Sequence, residues 1–395
     1  MPNYTVFHLH SSRSNREGGF LDSVTDFTSY VKKASECDMK ALGFSEHGNI
    51  FEWLKKKEAI EKAGMKYIHA EEFYLTETLE EKIRDNYHIV LIARNNDGVE
   101  ELNRLSSAAF NREDGHYYYA PRITFDELAG TSDNIIISTA CLASPLSRGT
   151  DTIREKYINF LRLNKDRCFL EIQHHNVDEQ RKYNRYLKLL SDELGIPLIA
   201  GTDTHALDDR DMDGRAIMQY SKDVHFANED NWDLTFKTYD QLVAAYKKQD
   251  SLPMDAVLEA IENTNRMADM VEEFSVDRSY KYPKLWEDPV KTLDEKIALG
   301  IKRRGITSYP NYSEYLERIA TERDTYIHNG AVDFMLLMAD ILDWCREHDI
   351  LVGYGRGSVN GSVIAWLLGI TEMDSIKFRL NYQRFMSLER ISLAD

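Results

Sequence analysis

Eight side chains of metal-ligand type fall within the first 205 residues, most of them directly after a short apolar run. They are His8 and His10 in F-H-L-H, His47 in S-E-H-G-N, Glu72 in A-E-E-F-Y, His88 in Y-H-I-V-L-I-A, Cys141 in S-T-A-C-L, and Asp203 with His205 in G-T-D-T-H. Side chains alternate along an extended strand, so H-x-H and D-x-H each put two ligands on one face. Imidazole, carboxylate and a thiolate together suit Zn²⁺, Mn²⁺ or Fe²⁺ better than Mg²⁺ alone. Two or three such ions, ~3.5–4 Å apart, clamp a phosphate and acidify a bridging water. The chemistry is then phosphoester hydrolysis. A lone H-x-H carries little weight; the recurrence at successive strand ends carries the argument. His174 and His175, after F-L-E-I-Q, form the next most suggestive pair.

The elements that must position these groups alternate. Short apolar strands are expected at 4–9, 41–46, 67–75, 88–93, 134–140, 168–173 and 197–202. Amphipathic helices are expected near 22–37, 51–64, 97–110, 152–163 and 178–194. Such alternation argues for a mainly parallel sheet, here a distorted seven-stranded (β/α) barrel in an α/β domain. Barrel sites lie at the C-terminal strand ends. His8, His47, Cys141 and Asp203 fall there, whereas His88 opens its strand and is not selected by pattern alone. A polar and then helical stretch covers 206–275, and two prolines between Tyr280 and Pro289 mark a boundary. The expected domains are 1–275 and 276–395.

The second region is helix-rich from 291 to 349. It then runs through G-Y-G-R-G-S-V-N-G-S (353–362) into an apolar helix near 363–370. Glycines admit backbone N–H groups to a phosphate, Ser hydroxyls donate, Arg356 adds charge, and a helix N-terminus follows. Net charge is −17 and uneven: residues 276–395 hold 16 Lys and Arg against 18 Asp and Glu, leaving −15 on the remainder. Phosphate binding wants Lys and Arg, so the near-neutral second region is the better place for a nucleotide or DNA contact. Bound divalent ions would offset some of the acidic charge. No run approaches the ~18 apolar residues of a membrane span. The N-terminus shows no secretion signal. Four cysteines far apart without C-x-x-C spacing fit free thiols in a reducing cytoplasm.

In this order the blocks V-F-H-L-H-S, F-S-E-H-G-N-I-F, A-E-E-F-Y, H-I-V-L-I-A-R-N-N-D-G, Y-Y-Y-A-P-R-I, S-T-A-C-L and G-T-D-T-H-A-L resemble the PHP (polymerase and histidinol phosphatase) domain. With G-Y-G-R-G-S-V-N-G-S-V-I-A-W-L-L-G-I-T-E-M-D and Q-R-F-M-S-L-E-R-I-S-L-A-D, the chain resembles the N-terminal part of bacterial C-family replicative DNA polymerases, the polymerase III alpha subunits. The resemblance implies a nine-ligand, three-metal site on His8, His10, Glu17, His47, Glu72, His88, Cys141, Asp203 and His205. His10, Asp203 and His205 would carry the catalytic step. Glu17 departs from the family pattern, which has Asp before the glycine.

The implied activity of the first domain is metal-dependent 3′–5′ exonuclease, with Zn²⁺ or Mn²⁺ as cofactor. Two alternatives are a metal-stabilised scaffold and a small-ester phosphatase. The second domain would be the start of an α+β polymerase palm. Gly353, Gly355, Arg356, Gly357, Ser358, Gly361 and Ser362 would hold the incoming triphosphate, with Arg384 and Arg390 as further contacts. Mg²⁺, DNA, dNTP and replisome subunits are implied for the full-length polymerase, and no membrane. The chain stops before the family's D-x-D pair, so no polymerisation by this chain alone is expected.

Overall fold

The computed structural model describes residues 2–15, 21–80, 82–84, 86–224, 232–279, 283–355 and 357–389. Two compact units follow one another, Met1–Val276 and Asp277–Asp395.

Among its described residues the first unit has eight strands: β1 (Ala41–Phe44), β2 (Lys66–Thr76), β3 (Tyr87–Ala93), β4 (Tyr117–Tyr118), β5 (Ala120–Thr124), β6 (Ile135–Ser138), β7 (Cys168–Ile172) and β8 (Leu198–Ala200). Their order is β4-β5-β2-β3-β6-β7-β8, with β1 also on β2. The sheet curls, and residues 6–10 tie its two ends together. Val6 bridges Leu42 of β1, and Leu9 bridges Thr204 beyond β8. His10 N donates to Thr204 O at 2.8 Å, and Gly43 N to Val6 O at 2.8 Å. The expected strand at 4–9 is thus present as isolated bridges without a continuous ladder. With β1, β2, β3, β6, β7 and β8 it makes seven strand positions around the unit, and β5 and β4 branch from the C-terminal end of β2.

One departure from the expected parallel sheet decides the site. β3 runs antiparallel to both β2 and β6. Among its described residues the link from β2 to β3 holds no helix, and a short link without a crossover can only return the chain antiparallel. The N-terminal end of β3 therefore lies at the same mouth as the C-terminal ends of its parallel neighbours.

Ile68, Ala70, Val90, Ile92, Ile136, Phe169 and Ile199 form one buried apolar cluster from alternate strand positions. On β2 and β3 the same alternation leads upward to Glu72 and His88. In A-E-E the second glutamate therefore faces inward and Glu71 outward, where burial pushes its carboxyl well up. The helices Phe27–Glu36, Trp53–Lys62, Asn96–Ala109, Asp151–Leu163 and Asp178–Leu194 cover the outside. Each keeps to its expected place except the first. Asp26 caps that helix by accepting from Thr28 N, which starts it at Phe27 and leaves residues 22–25 outside it.

The second unit is built of helices Pro289–Arg304, Tyr312–His328, Val332–Glu347 and Val363–Leu367. No strand occurs in it among the described residues, so the β part of the expected α+β palm is not seen there. The apolar helix is not left exposed. Val363, Ile364, Ala365 and Leu367 are fully buried, packed against the first two helices of the unit. Arg303, Arg304 and Arg346 donate to its C-terminal carbonyls at Leu367, Trp366 and Gly369, as cations do at helix C-termini. Among the described residues no helix is long and apolar enough to cross a membrane, and all four cysteines are free.

Candidate metal centre

The mouth of the curled sheet gathers side chains from six separate segments. His8 Nε2 lies 3.3 Å from Glu72 Oε1 and 3.3 Å from Asp203 Oδ1. His10 Nε2 is 3.4 Å from Asp203 Oδ1 and 3.7 Å from Glu72 Oε2. His47 Nδ1 meets Glu72 Oε2 at 2.5 Å, and His88 Nδ1 is 3.1 Å from Glu72 Oε1. Cys141 Sγ lies 3.7 Å from His88 Nδ1 and 3.9 Å from Glu72 Oε1. The rings of His47 and His205 stack at 4.1 Å and 4.4 Å on that of His10. Eight of the nine expected ligands are therefore together. The ninth, Glu17, lies outside the described residues.

An unexpected carboxylate closes the open side. Asp22 Oδ2 sits 2.9 Å from His205 Nε2 and 3.1 Å from His47 Nε2. Arg215 braces it, with Nη2 at 3.2 Å from Oδ1 and Nε donating to the Asp22 carbonyl at 2.6 Å. Three sets of ligand atoms each lie within 4.8 Å of one another: His10, Asp22, His47 and His205; His8, His10 and Glu72; His47, Glu72 and His88.

The electrostatics fit a cation nest. The Nε2 atoms of His8 and His10 and Oε2 of Glu72 are buried and make no well-directed hydrogen bond among the described residues. Buried polar atoms seldom go unsatisfied without an ion or water. Burial opposes charge on Asp22, yet the imidazoles of His205 and His47 hold its carboxyl well below the usual range. Glu72 is likewise held well down, by His88, His47 and His8 against burial. Burial, with His47 and His205 alongside, pulls His10 down to about 4. Burial pushes the Cys141 thiol well up, and Asp203 and Glu72 add to this. A thiolate there calls for a neighbouring cation.

Behind the ligands stand acids that the sequence reading passed over. Glu171 accepts from His8 Nδ1 at 2.6 Å and is held by Ser138 Oγ at 2.6 Å and Gln173 Nε2 at 2.8 Å. This turns His8 Nε2 toward the centre, as an outer carboxylate does for a metal-binding histidine. Gly201 is required here, because a Cβ would fall 1.9 Å from Glu171 Oε1. Ser14 Oγ lies 3.1 Å from His10 Nδ1 and donates to Glu46 at 2.6 Å, and Glu46 pairs with buried Lys56 at 2.5 Å. His174 and His175 are buried but belong to none of the three ligand sets. His175 stacks on Trp232 at 4.9 Å.

In the second unit the glycine loop divides. Gly353, Gly355, Gly357 and Ser358 are exposed. Gly355 at φ +113° and Gly357 at φ +68° use backbone conformations that side chains disfavour. Gly361 and Ser362 are instead buried and committed. Ser362 Oγ donates to Glu322 Oε2 at 2.7 Å and caps the helix by accepting from Ala365 N at 2.9 Å. The first helical amides, Val363 N and Ile364 N, both donate to the Glu322 carboxylate at 3.0 Å. The helix N-terminus expected to face a phosphate thus already holds an internal carboxylate, and Ser362 serves as a cap. Arg384 is exposed, while Arg356 and Arg390 lie outside the described residues.

Residues 7–175 match the PHP domain, and residues 291–395 match the bacterial DNA polymerase III alpha NTPase domain. Across 99% of its length the chain is 30% identical to the DNA polymerase III subunit alpha of Aquifex aeolicus. The chain thus carries a PHP domain and a bacterial DNA polymerase III alpha domain. The alpha subunits of Borreliella burgdorferi and Treponema pallidum are each 29% identical, over 98% and 99% of the chain. The chain spans about a third of the length of these relatives, 36% for the Aquifex protein and 34% for the other two. Among solved structures the likenesses are distant. An amidohydrolase from Chromobacterium violaceum is 13% identical, with TM-score 0.34, covering 52% of this chain and 89% of that one. A Bifidobacterium adolescentis protein described as a metal-dependent phosphoesterase is 14% identical, with TM-score 0.34, covering 61% and 96%.

Asp22 is the principal residue the sequence reading missed. It was absorbed into an expected helix from 22. The cue available was Asp26, whose place before F-T-S-Y-V-K-K suits an N-cap and would have freed residues 22–25. Glu46 and Glu171 lie inside quoted motifs, S-E-H-G-N and F-L-E-I-Q, but nothing in one-dimensional spacing shows which acid backs which histidine.

Proposed function

We propose that the first unit of this chain is a divalent-metal phosphodiesterase acting at a DNA 3′ end. The supporting observation is the nest of His8, His10, His47, His88, His205, Glu72, Asp22, Asp203 and Cys141, in which the inward Nε2 atoms of His8 and His10 make no well-directed hydrogen bond among the described residues. These nine would hold up to three ions of the zinc or manganese class. Bound there, the ions would polarise a phosphoryl oxygen and acidify water. The chain's own groups have separate tasks. Glu171 fixes the orientation of His8, Glu46 through Ser14 fixes that of His10, and Arg215 offsets the charge of Asp22. Asp203, carried at φ +46° after β8, turns its carboxylate between His8 and His10. We assign His10, Asp203 and His205 to the chemical step.

We further propose that the second unit serves nucleotide handling in a DNA-directed DNA polymerase using Mg²⁺, dNTP and DNA alongside replisome subunits. The contacts proposed are Gly355, Gly357 and Ser358 on the exposed part of the loop, with Arg356, Arg384 and Arg390.

The test of the first proposal is release of nucleotides from 3′-labelled DNA with Mn²⁺ or Zn²⁺. Activity lost in His10→Ala and absent toward small phosphate monoesters is expected. A wild-type chain that binds two or three ions yet leaves DNA intact makes the centre a structural one.

A further inference from the structure

The Y-Y-Y-A-P-R-I block takes no part in the metal centre, yet it sits at the rim. β5 pairs with the C-terminal end of β2, Tyr74 opposite Arg122. The Tyr74 ring lies 5.0 Å from that of His88 and 6.0 Å from that of His47. Gly48, next to His47, is so close to the block that a Cβ there would fall 2.7 Å from the Pro121 ring. Outward from this rim run aromatic rings. Phe51 and Phe110 have centroids 5.9 Å apart, Phe110 stacks on Tyr117 at 5.9 Å, and Tyr118 meets Tyr119 edge-on at 4.8 Å. Phe51 is 50% and Tyr119 59% exposed.

Guanidinium groups accompany the rings. Arg112 lies 4.4 Å over Tyr117 and Arg84 3.7 Å over Tyr119. Buried Arg122 fastens the two loops that carry them, donating to the carbonyls of Ile83, Gly115 and His116.

We infer that this rim binds single-stranded nucleic acid, with unpaired bases on the Tyr119 and Phe51–Phe110 rings and phosphates at Arg84 and Arg112. Base faces stack on any aromatic ring, so such a surface is indifferent to sequence. A duplex hides those faces and cannot use it. Acids are also present: Asp114 is engaged by His116 and Asn111, Glu77 by the Tyr87 hydroxyl, and Glu80 and Glu113 are exposed. The inferred binding therefore draws on stacking more than on net charge. With two phosphate contacts on a single strand, the slope of log affinity against log salt is about −1.4. The inference rests on the phosphodiesterase proposal only for the direction in which the strand points.

The test is fluorescence anisotropy of a labelled oligothymidylate of about 12 nucleotides, a length within the span of such sites, in EDTA. Saturable binding is expected, weakened roughly 5- to 150-fold in Tyr119→Ala and in Phe51→Ala. Tyr119→Phe should bind as wild type, and Arg84→Ala should flatten the salt slope. A wild type that does not bind, a duplex that binds equally well, or alanine variants with unchanged affinity overturns the inference. Because metals are removed, binding is read apart from hydrolysis, and a wild type that leaves DNA intact in the metal-loaded assay above does not touch this inference.

Discussion

At the scale of single residues, Asp22 occupies the corner between His47 and His205. Family resemblance points to Glu17, while geometry points to Asp22, which has His47 and His205 within about 3 Å and Arg215 behind it. Asp22→Ala should cost close to one ion per chain by elemental mass spectrometry, and Glu17→Ala should leave metal content unchanged. The reverse pattern returns the corner to Glu17. The ligand types themselves were plain in the chain. Asp22 was not, because an aspartate four residues before a helix cap has no one-dimensional mark of a ligand.

At the scale of elements, β3 and Glu322 carry the lessons. His88 opens its strand and looked misplaced by pattern. The antiparallel return of β3 brings that opening to the mouth, so strand direction, not spacing, recruits it. On the outward face of β2, His69 is buried between Tyr67 and Asn103 at 2.9 Å each, and burial pulls it down to about 4. Unfolding returns it to its ordinary value near 6.5. As pH falls from 6.5 toward 4 the unfolded chain takes up a proton the folded chain refuses, so stability is lost across that window. The loss should be on the order of 2–3 kcal/mol by pH 4.5, read by urea unfolding, and His69→Gln should lack this part of the dependence.

In the second unit Glu322 accepts two helix amides and Ser362, and pairs with Arg318 at 2.8 Å. Glu322→Ala strands all of them. A loss of about 3–5 kcal/mol in stability of that unit is expected, as for removing one partner of a buried pair. A change below about 1 kcal/mol by urea unfolding would refute the role given to this carboxylate.

At the scale of the whole molecule, an acidic first unit gathers five histidines, three carboxylates and a thiol in one mouth. Holding these without cations is costly, so chelation should lower the melting temperature of the first unit and not that of the second. The carboxylates of Glu171, Asp203 and Glu72 overcome burial to hold His8 well above its ordinary value; Tyr74, Glu72 and Asp22 do so for His47, and Cys141 is raised by burial. Each must shed a proton to ligate. Metal uptake should therefore release protons and be weaker at pH 6 than at pH 8, as calorimetry in two buffers of different ionisation heat would show.

By itself the sequence determined the α/β alternation, the helix positions and the ligand types, because these follow from local periodicity and side-chain chemistry. The blocks quoted from it also pointed to the polymerase family. Only the tertiary structure decided the rest. It reversed β3, brought in Asp22, matched Glu171 to His8, and set Glu322 against the helix end expected to meet a phosphate. Each of these is a meeting between segments far apart in the chain, and a one-dimensional pattern does not encode which distant groups satisfy one another's charge and hydrogen bonds.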